Sequence, residues 1–321
     1  MWSHLNYYDI DENDETFSDA RRRILARLGD FAALIIGPLN LRPKAAVLQL
    51  NTPERIEVRV STPLNHIILA IEPDGDLASE VFFLRAIAPK HLPVPHLIGH
   101  DLSMTFVPFS YLLHNYISGT PLSKLEDGPA MRIAARQVGR TLRRAHQVSA
   151  PGFGRPTVNG RWIFNRWETA LHDWLTQHEF FTRGKEVLGE ELFAKLRTAT
   201  LDHPMLACER ASLLHGAAEP SRVLVAVGDS IQLEALTRPG RLVGGDPLFD
   251  LAYATLPSRP QAFSQGVFEG YNASGPLLPE QEARLQRLRL LLHVTDTLWR
   301  ADTAEIEHLV DQVQTGLAAL A

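Results

Sequence analysis

The chain turns on Leu213-Leu214-His215-Gly216-Ala217-Ala218-Glu219-Pro220-Ser221-Arg222-Val223-Leu224-Val225. Two later pieces belong with it, Ile231-Gln232-Leu233-Glu234-Ala235 and Gly244-Gly245-Asp246-Pro247-Leu248-Phe249-Asp250-Leu251-Ala252. Apolar runs on either side of a polar, proline-containing segment read as strand, loop and strand. The last piece leads into an apolar helix, for which Asp250 reads as the cap. Around the loop, Glu219 and Glu234 are the nearest carboxylates that could serve a metal or a proton transfer.

Composition bounds the partners. The chain has 321 residues with 45% hydrophobic side chains, enough for two subdomains with a real core. A formal charge of -5 with 13 histidines gives no basic stripe for nucleic acid or anionic lipid. The single Cys208 cannot form an internal disulfide and reads as a small buried hydrophobe. No apolar run is long enough to span a bilayer, and the amino terminus has no signal-peptide pattern. The expectation is a cytoplasmic protein that binds neither nucleic acid nor membrane.

Upstream, residues 1–17 are polar and acidic, and Ser18 or Asp19 caps a helix over 18–35 with Ile24, Leu25, Leu28, Phe31 and Ile35 on one face. The basic run Arg21, Arg22, Arg23 and Arg27 reads as a solvated face. Residues 45–61 and 66–72 read as strands, joined by a turn at Thr62 to Asn65, and a helix follows over 77–88. His91, His96 and His100 have no zinc spacing and read as scattered loop histidines. Residues 131–146 form a helix with Ile133, Val138, Leu142 and Ala145 on one side, and 162–180 another with Trp167, Leu171 and Trp174 as a packing stripe. Further helices are expected over 189–200, from Pro279 on toward Trp299 with Leu285, Leu288, Leu291, Leu292 and Val294 as its apolar stripe, and over 303–320.

Leu92-Pro93-Val94-Pro95, Gly119-Thr120-Pro121-Leu122, Gly152-Phe153-Gly154, Leu214-His215-Gly216 and Gly245-Asp246-Pro247-Leu248-Phe249-Asp250-Leu251-Ala252 occur in that order. Taken together they resemble the aminoglycoside phosphotransferase and choline kinase family over about residues 45 to 300. The resemblance implies an α+β, two-lobed protein-kinase-like fold. An N-terminal extension and helix (1–40) would precede an N-lobe (41–113) of small antiparallel sheet and one helix, and a larger, mainly helical C-lobe (114–321).

In that family the loop runs H-G-D-x-x-x-x-N, with a metal-binding Asp on the next strand. On this alignment Ala217 replaces the base, Arg222 the metal-binding Asn and Gln232 the metal-binding Asp. A methyl group accepts no proton, and neither a guanidinium nor an amide replaces a carboxylate around magnesium. The phosphate-covering glycine loop is replaced by Asn51-Thr52-Pro53-Glu54-Arg55, and no Lys or Arg lies between Val60 and Phe83, so Ala70 stands in the place of the strand cation. Glu80, which in kinases pairs with that cation, then reads as a surface or locally bonded carboxylate. Asp246 matches an aspartate that braces the loop.

The resulting expectation is a pseudokinase: no phosphoryl transfer, no cofactor or metal, and a small ligand or protein partner bound in the family's cleft. Glu80, His114, Tyr116, His215, Glu219, Arg222, Glu234 and Asp246 are the candidate cleft residues. The alternative is an unorthodox phosphotransferase or nucleotidyl transferase acting on a small-molecule hydroxyl. It would use ATP and magnesium, with Glu219, Glu234 or Asp246 as relocated ligands and Arg222 on the phosphates.

Overall fold

Alternating apolar residues dictate the first sheet. The computed structural model describes residues 2–7, 18–300 and 303–320; the rest of the acidic amino terminus, 8–17, lies outside it. Its contacts divide the chain into two compact units, Met1–Ala88 with Pro95–Ile117 and Val158–Gly160, and Pro89–Val94 with Ser118–Thr157 and Arg161–Ala321.

In the first unit Ser18 caps α1 (Asp19–Ala26), its Oγ accepting the Arg21 amide, and α2 (Leu28–Ile36) follows a break at Arg27 (φ -128°, ψ 23°). The single helix expected over 18–35 is therefore two. The Asn6 side chain accepts the Gly29 amide at 2.7 Å, and a Cβ at Gly29 would stand 2.0 Å from the Trp2 carbonyl oxygen, so the segment before α1 packs against the start of α2. Arg21 is buried and donates to Asn51 Oδ1 at 2.6 Å, which corrects the reading of the whole basic run as a solvated face.

Strands β1 (Ala45–Thr52), β2 (Arg55–Ser61) and β3 (His66–Glu72) come before α3 (Ala78–Ile87), and β4 (Leu97–Asp101) and β5 (Ser110–Asn115) after it. They form one antiparallel sheet in the order β1-β2-β3-β5-β4. The two-residue period sends Ile56, Val58, Val60, Ile67, Leu69 and Ile71 to one face, where Leu25, Leu28, Ile35 and Ile36 of the two N-terminal helices cover them. Residues 18–40 thus share a core with the sheet and belong to the same unit. On the opposite face Ile68, Ala70 and Leu112 meet Leu77 and Val81 at α3.

The second unit runs β6 (Thr120–Pro121), α4 (Pro129–Ala145), β7 (Phe153–Pro156), β8 (Trp162–Phe164), α5 (Trp167–Gln177), α6 (Phe180–Ala199), β9 (Ser212–Leu213), β10 (Val223–Val227), β11 (Ile231–Leu236), β12 (Gly244–Gly245), α7 (Leu248–Ala254), α8 (Gln261–Asn272), α9 (Pro279–Arg300) and α10 (Thr303–Leu320). Helices α4 and α8 pack backbone to backbone: a Cβ at Gly139 would stand 2.1 Å from the Val267 carbonyl oxygen, and one at Gly270 2.0 Å from that of Arg136. Val138, Leu142 and Ala145 are buried as expected, but Ile133 is exposed and faces a cavity of about 530 Å³ shared with Arg132 and Gln261.

Residues 162–164 form a strand paired with β7, and the helix starts only at Trp167. The Trp162 ring fills the space that Gly152 and Gly244 leave open, where a Cβ would meet it at 2.7 and 2.5 Å. Helix α6 is broken at Gly189, whose φ of 74° no regular helix contains. No helix among the described residues is long and apolar enough to cross a membrane.

Candidate functional site

The loop after β9 is shaped from below by one buried carboxylate. Strand β12 pairs with β9, Gly244 opposite Leu213, and the Leu214 and Gly240 amides extend the pairing at 2.9 and 2.7 Å to the carbonyls of Val243 and His215. The chain then turns at Gly216, at φ 73°, where a Cβ would stand 2.2 Å from the Leu242 carbonyl oxygen. Only glycine fits there. Asp250, in the first turn of α7 and fully buried, accepts the amides of His215 at 2.7 Å and Gly216 at 2.6 Å. Its Oδ2 also takes Nε2 of His146 at 3.0 Å, and Nδ1 of His146 meets the Tyr271 hydroxyl at 2.9 Å. A carboxylate only accepts, so Nε2–H donates to Asp250 and, in neutral imidazole, Nδ1 accepts from the tyrosine. Burial pushes the Tyr271 phenol up to about 12, against the opposing pull of Arg143, which keeps it a donor.

Asp246 has the other job. Its Oδ1 accepts the Leu248 amide at 3.0 Å at the start of α7, and Oδ2 meets Arg284 Nη1 at 3.2 Å. Burial raises its carboxyl above the usual range, opposed by the Leu248 amide and Arg284. The roles read from sequence are therefore exchanged: Asp250 braces the loop and Asp246 starts the helix. The two lie four residues apart, about one helical turn, which brings the later one back toward the loop. Cys208 donates to the Arg210 carbonyl, and its thiol is pushed up to about 11 by burial and by Asp246, which suits an inert side chain.

At the top of the loop Ala217 is buried and offers a methyl group. Arg222 donates through Nε to Glu219 Oε1 at 3.2 Å and through Nη1 to the Arg238 carbonyl at 2.6 Å. Glu219 also accepts the Ser221 hydroxyl at 2.8 Å and pairs with Arg259 at 3.5 Å. Gln232 is not here. It pairs with Ala226 toward the turn of the β10–β11 hairpin and is exposed, while the Gln137 amide spans its neighbours, donating to the Ile231 carbonyl and accepting the Leu233 amide. Thr237 is the residue beside Arg222, giving both its amide (2.9 Å) and its hydroxyl (3.1 Å) to the Arg222 carbonyl. Five residues of strand, about 16 Å, separate the two positions. Glu234 is half-buried on β11, and Asp246 and Glu219 are held by different arginines.

In the first unit, Thr52 pairs with Arg55 across a turn of Pro53 and Glu54. Arg55 and Glu57 alternate onto the face that carries Ala70, which lies opposite Glu57 in the register. From there Arg55 gives Nη1 and Nη2 to Glu80 at 2.5 and 3.1 Å and Nε to Glu57 at 2.6 Å. Glu80 is buried, not a surface carboxylate, and its partner comes from β2. Burial alone would lower the Arg55 pKa; Glu80, Glu57 and Glu72 outweigh it and raise it. His114 is buried near this group with Nδ1 2.7 Å from the Asn115 carbonyl oxygen, and burial holds its pKa down. Tyr116 lies beneath the Arg59 guanidinium, 5.2 Å from ring centre, and edge-on to His66. Among the described residues no three His, Cys, Asp or Glu side chains are grouped to hold a metal ion.

The family model APH, the phosphotransferase enzyme family, matches residues 54–291. The chain belongs to that family. Among solved structures, a thermostable mutant of aminoglycoside phosphotransferase APH(4)-Ia in a ternary complex with ADP and hygromycin B is similar at 17% identity and TM-score 0.62, covering 92% of this chain and 97% of that one. A putative fructosamine-3-kinase from Haemophilus somnus 129PT is similar at 16% identity and TM-score 0.59, over 89% and 96%. The macrolide 2'-phosphotransferase MphH from Brachybacterium faecium is similar at 17% and 0.57, over 88% and 98%. No curated protein sequence matches the chain. These likenesses show the α+β kinase-like fold: an antiparallel sheet with one helix, and a larger helical unit.

Against a phosphotransferase frame the donor set does not suit magnesium and ATP. Ala217, Arg222 and Thr237 offer no carboxylate. The two-residue turn at Pro53 and Glu54 is too short and carboxylate-bearing to cover phosphates, and Arg55 is engaged by Glu80 and Glu57.

Proposed function

We propose that this phosphotransferase-family protein does not transfer phosphoryl groups and acts as a module that binds a small ligand or a protein partner. The observation that carries the proposal is Arg222: at the loop position where the family resemblance calls for a metal-binding Asn stands a guanidinium, held by Glu219 and by the Arg238 carbonyl. A dication and a guanidinium a few ångströms apart repel, and the neighbouring carboxylate, Glu219, is already shared between Arg222 and Arg259. Ala217 removes the base as well, a loss of about two to four orders of magnitude in rate by itself. Relocated catalysis on a small-molecule hydroxyl would need Glu219, Glu234 and Asp246 to act together; the separate arginine partners of Glu219 and Asp246 weigh against it.

The test is thermal melting with ATP, with and without magnesium. We expect no magnesium-dependent rise in Tm. A rise of several degrees that vanishes in chelator would overturn the proposal, because a ligand that binds only the folded state stabilises it by mass action.

A further inference from the structure

The replaced catalytic loop carries more positive than negative charge. Around Glu219 stand the guanidiniums of Arg222 at 3.2 Å and Arg259 at 3.5 Å, and Arg238 donates to the Ser221 carbonyl at 2.5 Å. One carboxylate faces two ion-paired arginines. Arg259 is the informative one. Its side chain is 7% exposed, yet among the described residues its Nε and Nη2 have no hydrogen-bond partner. Glu219 Oε2 stands off Nη2 at 3.5 Å, an ion pair without hydrogen-bond geometry, and the plane rests on the Tyr253 ring, 4.8 Å from its centre. Nε–H and Nη2–H are the parallel pair on one edge of a guanidinium, the edge that grips a carboxylate or phosphate with two bonds. Buried donors left unmade are costly, so an edge that its carboxylate holds only at ion-pair distance can take an acceptor that meets both donors.

We propose that Arg259, with Arg222, forms an oxyanion site at the degenerate catalytic loop, taking a phosphate or carboxylate group of a ligand directly, without a metal ion. Glu219 holds the two guanidiniums in place and competes with the incoming anion. The proposal deepens the reading of the protein as a binding module and rests on it, since a guanidinium here supplies the charge that a metal supplies in a phosphotransferase. No bond is made or broken.

The full chain is melted in EDTA with inorganic pyrophosphate in one arm and succinate in another, which separates phosphate from carboxylate recognition. Affinity for the effective anion is then measured by calorimetry. We expect stabilisation by at least one, weakened about tenfold or more in Arg259→Gln. Glu219→Gln, which removes the competing charge, should bind the anion more tightly than the unaltered chain. A merely structural role for Glu219 would not give that gain, and it keeps the proposal testable if Arg259→Gln fails to fold. Absence of stabilisation by either anion, or affinities unchanged in Glu219→Gln, would overturn the site. Phosphoryl transfer from magnesium-ATP, assayed on the same preparation, would instead overturn the non-catalytic reading, so the two failures are distinguishable.

Discussion

At the scale of the residue, His114 shows what burial does to a titratable group. It is 7% exposed, and burial lowers its pKa, with Arg55 adding to the effect and Glu80, Glu57 and the Asn115 carbonyl opposing it. The unfolded chain protonates this imidazole near the ordinary value of about 6.5, while the folded chain resists until lower pH. Below that value the unfolded state therefore binds more protons, and folding stability is lost as pH falls; above it the contribution is fully present. Melting from pH 8 to 5 should show a decline beginning near pH 6.5, at most about 1.4 kcal/mol per pH unit from this group. His114→Gln should flatten the decline, and an unchanged slope would place its origin elsewhere.

At the scale of the element, the pair that ties α3 to the sheet comes from an unexpected strand. Strand β3 carries no Lys or Arg, and Glu80 reads from sequence as a surface or locally bonded carboxylate; Arg55, 25 residues earlier, meets it from β2. Strand alternation was legible because each strand carries its own period, and so were the loop glycine and the helix starts at Asp19 and Pro279. A pairing between distant elements leaves no local mark. Nor do the helix break at Arg27, where residues 2–7 meet α2, the hairpin pairing that brings Thr237 rather than Gln232 beside Arg222, and the exchange of the roles of Asp246 and Asp250. Because Arg55 and Glu80 are both buried, removing one leaves the other uncompensated. Arg55→Met should cost about 3–5 kcal/mol in urea unfolding, and adding Glu80→Leu should recover much of it. A double variant no better than the single would show that Glu57 or Glu72, not Glu80, is the partner that matters.

At the scale of the whole molecule, the question is whether the departures from phosphotransferase chemistry sit in one place or are spread over the chain. They are spread. On the proposed non-catalytic reading, the second unit has Ala217, Arg222 and Thr237 at the positions of a base and two metal ligands, and the first has a two-residue turn in place of a phosphate loop and an arginine already engaged by Glu80 and Glu57. Repairing one unit therefore should not restore turnover. The variant Ala217→Asp, Arg222→Asn, Thr237→Asp returns a base and metal ligands to the loop while leaving Asp250 and His146 to brace it. Incubated with magnesium and ATP, it should consume no nucleotide above buffer, against the roughly 1–100 per second of working kinases, because positioning of the triphosphate is still missing and charge stabilisation acts only on a positioned group. Magnesium-dependent ATP consumption by this variant would show instead that the first unit retains a competent phosphate site, and that the three loop positions alone separate this chain from its catalytic relatives.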